Sequence, residues 1–210
     1  MSLRSILSAL TALIAASAVL LQADLFVARM TAEGAPVGDA LWRLIGYFTI
    51  ISNTALAIVC GALALPSTRR MVGPRTLLAM ATAILLVGIG YSVALRDVWN
   101  PPGLQAVADH ALHDVTPLLF LAIWILSPHG ALTWRDALGA IAAPVAFCLY
   151  ALARGAFDGW YPYWFIDARS LSAWQVAGNI VWLLIFTALI ALSLIAGDRM
   201  LARRAAKPAH

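Results

Sequence analysis

Asp109, His110, His113 and Asp114 stand close together in a stretch of helix-forming residues. Side chains four apart on a helix are neighbours, so Asp109 can reach His113 and His110 can reach Asp114. A carboxylate in that position orients an imidazole, as a general base requires. A second set, Thr49, Ser52 and Asn53, has the spacing i, i+3, i+4 and shares one helical face. A hydroxyl facing an imidazole makes a nucleophile and its base. Thr49 would attack, His113 would take its proton, and Asp109 or Asp114 would hold the ring. The two histidines and two aspartates could instead ligate zinc or iron. One helix rarely supplies enough ligands, however, and His129 and His210 fall far along the chain at the other end of their segments. A haem would need axial ligands on facing helices, which the pattern lacks. The set is therefore read without metal or cofactor. The plain alternative is that Thr49 bonds back to its own helix and the histidines tie helices together.

The elements that must position these groups are membrane spans. The chain has 210 residues, 62% hydrophobic and 11% charged, with mean hydropathy +0.86. A water-soluble domain carries roughly 25% charged residues, so this surface must largely face lipid. Apolar runs cover about residues 5–27, 41–65, 77–95, 104–126, 137–153 and 171–196. Each is close to the roughly 20 residues that one crossing needs. The expected fold is all-α: a single domain over residues 1–210, built as a bundle of six transmembrane helices. Ala15-Ala16-Ser17-Ala18 resembles a signal-peptidase site, but the apolar run continues through Leu21, which favours an uncleaved helix. Cys60 and Cys148 lie inside apolar runs and suggest neither a disulfide framework nor a Cys-based metal site.

The formal charge is +4, with basic residues scattered singly at span ends rather than gathered into a nucleic-acid surface, so no nucleic-acid partner is expected. Arg4, Arg69, Arg70, Arg75, Arg135, Arg199, Arg203, Arg204 and Lys207 fall on one side of the predicted topology, nine against five on the other. By the positive-inside rule both termini of this multi-pass chain are expected to be cytoplasmic.

On this topology the polar groups converge in the outer half of the bilayer. Thr49 is expected roughly 8 residues into the second span, about 12 Å along its axis, and His113 about 13 Å into the fourth. Asn179 falls at a similar depth in the sixth span, and Gln22 and Asp24 near the end of the first. Pro117 removes the N–H partner of the carbonyl four residues before it, on His113, which predicts a kink and a bare carbonyl beside the imidazole. The loop Gly159-Trp160-Tyr161-Pro162-Tyr163-Trp164-Phe165 reads either as an interfacial aromatic belt or as a lid over a lipid-accessible cavity.

Tyr47-Phe48-Thr49-Ile50-Ile51-Ser52-Asn53, Asp109-His110-Ala111-Leu112-His113-Asp114-Val115-Thr116-Pro117 and Trp160-Tyr161-Pro162 together resemble the androgen-induced membrane proteins, most of all their bacterial Pr6Pr-type branch. Order and spacing match over nearly the whole chain. The animal members are membrane-embedded threonine hydrolases that cleave fatty acid esters of hydroxy fatty acids. The resemblance implies that Thr49 is the nucleophile and His113 the essential histidine. The chain departs from the animal pattern at Asp109, where Asn is usual, and at Asp114, where Thr is usual.

The expected function is hydrolysis of a lipid ester, with a lipid or fatty acid ester as substrate and the bilayer as its medium. Asn53 or Asn179 would supply the oxyanion donor. Ser52, His110, Trp160 and Tyr161 would line the pocket. The alternative is a non-catalytic membrane protein that binds or transports a small apolar ligand. The halves show no convincing inverted repeat, which weighs against transport. A subunit acting through partners is a third reading. Gly46, Gly88-Ile89-Gly90 and Gly178 would permit close packing with another chain or within this one.

Overall fold

The computed structural model describes residues 2–96, 99 and 101–205, and among these it is all-helical, with no strand. The helices in chain order are α1 (Leu3–Ala32), α2 (Val37–Leu44), α3 (Phe48–Ala64), α4 (Pro74–Ala94), α5 (Gly103–His110), α6 (Thr116–Ile125), α7 (Asp136–Ala140), α8 (Ala142–Asp158) and α9 (Ala173–Ala205). A wide π turn, Ala111–Val115, joins α5 to α6, and a 3₁₀ turn, Trp164–Ile166, lies between α8 and α9. Among the described residues five helical stretches are long and apolar enough to cross a membrane, and there are six if the bent pair α2 and α3 counts as one span.

That pair corrects the expected second span. Residues 41–65 do not form one helix: α2 meets α3 at 76° across residues 45–47. The composition of α2 explains the bend. Asp39 and Arg43 keep one side polar while Ala40 and Leu44 bury the other, which suits a helix lying across the bundle end. Trp42 Nε1 donates to Asp158 Oδ2 at 2.7 Å, and buried Arg154 donates to the Trp42 carbonyl, so α2 is tied to the end of α8. Gly46 makes the bend possible: a Cβ there would stand 2.5 Å from the Trp160 ring and 2.8 Å from an Arg154 nitrogen. Thr49 consequently sits in the first turn of α3, not 8 residues inside a span.

The predicted fifth span stands as one stretch, Asp136–Asp158, with a single irregular turn inside it. Pro144 has no N–H for the Ala140 carbonyl, and the helix breaks between them at Ile141. Helix α4 is the central element, packing against α3, α6, α7, α8 and α9. The core is apolar, with Leu56, Cys60, Leu78, Ile84, Phe120 and Ile195 fully enclosed. Both cysteines are buried and free.

Contacts between helices define two ends. At one end Gln22 of α1 meets Gln105 of α5, and Asn179 of α9 meets the Trp164–Ile166 turn. At the other, His129 after α6 meets Asp198 of α9, and Arg75 of α4 meets Asp136 of α7. The start of α1 and the finish of α9 both lie at this second end. The first end carries the candidate site.

Candidate active site

Thr49 Oγ1 lies 3.4 Å from His113 Nε2, at the outer limit of a hydrogen bond. The two residues are 64 apart in sequence and come from different helices. The other ring nitrogen, His113 Nδ1, lies 2.9 Å from the Asp109 backbone carbonyl and 3.4 Å from Asp109 Oδ1. Both neighbours of Nδ1 are acceptors, so the neutral ring carries its proton there and turns the Nε2 lone pair toward the threonine. That is the tautomer a general base needs.

The ring is held on its face as well as its edge. Tyr91 of α4 stacks on it with centroids 4.1 Å apart and planes 18° from parallel. The Tyr91 hydroxyl donates to Asp109 Oδ2, and Asp109 is buried. Tyr91, Asp109 and His113 thus form one closed unit spanning α4, α5 and the π turn.

The π turn sets where His113 points. Its geometry moves the backbone bonding one residue along, so the Thr116 N–H reaches the Ala111 carbonyl. Pro117, five residues after Leu112, then has no N–H to give the Leu112 carbonyl. Asn53 Nδ2 at 3.3 Å fills that gap, helped by the Thr116 hydroxyl at 3.1 Å, whose one proton is shared with the nearer Asn53 oxygen. Side chains thus compensate the Leu112 carbonyl, which the sequence did not single out, while the carbonyl predicted to be bare, that of His113, faces Gly88 of α4, where a Cβ would come within 2.9 Å.

Asn53 is fully buried and fully engaged. Its amide nitrogen also donates to the Thr49 carbonyl at 3.0 Å, and its oxygen accepts from Thr116 Oγ1 at 2.7 Å. With both amide protons committed, Asn53 clasps α3 to the π turn rather than offering a donor to an oxyanion. Ser52 returns its hydroxyl to the Phe48 carbonyl at 2.7 Å. Asn179 donates to the Phe165 carbonyl at 2.8 Å and fastens the 3₁₀ turn to α9. His110 and Asp114 pair with each other at 2.8 Å, and Arg96 also donates to Asp114. This second pair faces away from Thr49, with the His110 side chain 61% exposed. Among the described residues no group of three or more His, Cys, Asp or Glu is placed to hold a metal.

Trp160 packs edge-on against Tyr47 at 5.5 Å, and both Arg43 and Arg154 lie over its ring. The Tyr161 ring lies against Gly155, with Arg169 over its other side. Both residues brace the site end without lining its cavities.

Two hollows meet at the Thr49–His113 pair. One, of about 160 Å³, is walled almost entirely by apolar groups, among them Leu86, Val87, Phe147, Cys148 and Leu183. The other, of about 400 Å³, is bordered by Gln22, Arg29, Tyr47, Trp99 and Gln105. Tyr91, Tyr163 and Trp164 border both hollows together with the pair.

Tyr163 and Tyr91 are the functional candidates that residue spacing did not reveal. The Tyr163 oxygen accepts from the Phe48 N–H at 3.0 Å, at the N-terminus of α3. Burial pushes its phenol up to about 12, so it stays protonated at neutral pH. The hydroxyl thus stands beside both Phe48 and Thr49 where the two hollows meet. A tyrosine in an aromatic loop is indistinguishable in sequence from its belt-forming neighbours, and only the fold singles it out.

Compared with known proteins, the chain matches no family model, no curated protein and no solved structure.

Proposed function

We propose that the chain is an intramembrane hydrolase that cleaves a lipid ester, with Thr49 as nucleophile and His113 as base. The observation that carries this reading is the Thr49 hydroxyl set 3.4 Å from Nε2 of an imidazole whose other nitrogen is anchored, at the junction of two hollows. His113 takes the Thr49 proton as the oxygen attacks the ester carbonyl. The Tyr163 hydroxyl and the N-terminal end of α3 face the negative charge that develops on the carbonyl oxygen. Collapse of this intermediate expels the alcohol, which leaves with the proton from His113, and the acyl group remains on Thr49. Water then gives a proton to His113 and attacks the acyl carbonyl. The fatty acid departs as Thr49 regains its proton.

The apolar hollow suits an acyl chain and the larger one the alcohol portion. The likeness of the Thr49 and His113 segments to the androgen-induced membrane proteins supports a fatty acid ester of a hydroxy fatty acid as the substrate type. The excess of Lys and Arg at the end remote from the site supports cytoplasmic termini and a site in the outer leaflet, and the likeness to the bacterial Pr6Pr-type branch supports residence in a bacterial inner membrane.

The test is labelling of detergent-purified protein with a fluorophosphonate, mapped by mass spectrometry. An adduct on Thr49 that is lost in His113→Ala is the expected result. No adduct in folded protein would sink the hydrolase reading. A second reading, a protein that binds or moves a small apolar ligand, draws on the almost wholly apolar walls of the smaller hollow. It predicts retention of such a ligand in Thr49→Ala with no labelling of the parent protein.

A further inference from the structure

At the end of the bundle remote from Thr49, Trp134, Ala196, Arg199, Met200, Arg203 and Arg204 line a hollow of about 420 Å³. Three guanidinium groups border it, and among the described residues no carboxylate does. Arg199 and Arg203 are four apart on α9 and share a face, with Arg204 beside them. The Arg199 guanidinium stacks over the Trp134 ring at 4.8 Å, and its Nε is buried without a hydrogen-bond partner among the described residues.

The carboxylates nearest in sequence are already committed. Asp198 accepts from the Gly130 N–H at 3.0 Å and the Leu132 N–H at 3.3 Å, and pairs with His129 at 3.1 Å. Asp136 accepts from Arg75 and Thr133 at 2.7 Å each. The positive charge of the hollow is therefore not cancelled by its neighbours. Burial of an unpartnered guanidinium nitrogen is costly, and an anion in the hollow would remove that cost.

Position selects the kind of anion. Helix α9 runs 33 residues without a break, about 50 Å at 1.5 Å per residue. The hydrocarbon of a bilayer is about 30 Å thick, so one end of α9 must extend into the headgroup layer. The charged end does so, with Trp134 and Met200, each about half exposed, giving the hollow an apolar rim. Guanidinium groups beside an apolar rim match a phosphate attached to acyl chains better than a fully hydrated polyanion.

We propose that this hollow is a binding site for the headgroup phosphate of an anionic phospholipid, with Arg199 and Arg203 as the principal contacts and Trp134 against the glycerol and upper acyl region. The site is separate from Thr49 and does not depend on the hydrolase reading.

The experiment is native mass spectrometry of the purified full chain titrated with phosphatidylglycerol, phosphatidylcholine or inorganic phosphate. Phosphatidylglycerol should bind about tenfold more tightly than phosphatidylcholine, the equivalent of one charge-assisted hydrogen bond. The preference should vanish in Arg199→Gln/Arg203→Gln and persist in Arg75→Gln, which changes a cation at the same end already paired with Asp136. Should Arg199 be needed for folding, Arg203→Gln/Arg204→Gln changes only exposed groups and should still reduce the preference. Equal affinity for the two lipids overturns the proposal, as does a preference that survives in both double variants. Inorganic phosphate that saturates the site and displaces phosphatidylglycerol at equal concentration also overturns it, since the lipid would then contribute nothing beyond its phosphate.

Discussion

Tyr91 lies flat against His113 and at the same time donates its hydroxyl to Asp109, the residue whose carboxylate and carbonyl hold the far edge of that imidazole. One side chain of α4 therefore fixes the plane of the proposed base and steadies its anchor. Tyr91→Phe keeps the stack and removes the hydroxyl, whereas Tyr91→Ala removes both. On the hydrolase reading, kcat should fall by about tenfold in the first and by about 100-fold or more in the second, against a total general-base contribution of roughly 10²–10⁴. Steady-state kinetics on a fatty acid ester in detergent checks this. Equal activity in all three proteins would show that the ring needs no support from α4.

On the hydrolase reading the Tyr163 hydroxyl, beside Phe48 and Thr49 at the N-terminus of α3, donates to the developing oxyanion. Removing one such donor typically costs about 10²–10³ in kcat. Tyr163→Phe should show a loss of that order with KM little changed, because the interaction strengthens only in the transition state. Asn179→Ala, which frees the 3₁₀ turn from α9, should instead lower thermal stability with a smaller effect on kcat. Full kcat in Tyr163→Phe would remove Tyr163 from the mechanism.

The broad architecture was legible because lipid imposes a simple rule: long apolar runs become long helices. The runs around residues 77–95 and 171–196 became α4, which starts earlier at Pro74 and ends at Ala94, and α9, which starts at Ala173 and runs on to Ala205. The run at 41–65 misled because hydropathy does not sense direction. Leu41, Trp42 and Leu44 are as apolar as a span requires, yet Gly46 with Arg43 and Arg154 turns the chain through 76°. Within the site, helical spacing was enough to relate Asp109 to His113 and His110 to Asp114. It could not say which pair faces Thr49, since that depends on the π turn, and a π turn shifts the register by one residue. Pro117 marked the irregularity, but not that the widened turn before it would bring the Leu112 carbonyl to Asn53 and Thr116 as well. Tyr91 and Tyr163 were hidden for another reason: their value lies in contacts across the bundle, and no spacing along the chain records those.

Asn53 shows how a polar residue chosen for chemistry can serve structure instead. It bridges the Thr49 carbonyl, the Leu112 carbonyl and the Thr116 hydroxyl from a fully buried position. Asn53→Ala leaves the Leu112 carbonyl with Thr116 alone and deprives α3 of its clasp on the π turn. A loss of about 2–3 kcal/mol is expected, as for buried groups left without partners. Thermal unfolding in detergent reads it. The same variant should lose activity through displacement of Thr49 from His113. An unchanged melting temperature would count against the clasp.

The proximity of α4 to the π turn depends on a missing side chain. A Cβ at Gly88 would stand 2.9 Å from the His113 carbonyl oxygen and 3.0 Å from Pro117 Cγ, both rigid groups that cannot swing aside. Gly88→Ala must therefore push α4 away from the turn by a few tenths of an ångström. Tyr91 lies one turn further along α4, so the displacement reaches the stack on His113. Activity should fall by about tenfold or more, since a small misplacement of a catalytic group is expensive. Stability should drop by about 1–3 kcal/mol, the usual range for overpacking. Gly61→Ala is the control: nothing lies within 4 Å of its Cβ position in α3, and an alanine there should be neutral or slightly stabilising. Parallel measurements of melting temperature and kcat on the two variants separate a general intolerance of alanine from a specific need for closeness at Gly88. Equal behaviour of the two would mean that α4 can recede from the π turn without disturbing the pair that faces Thr49.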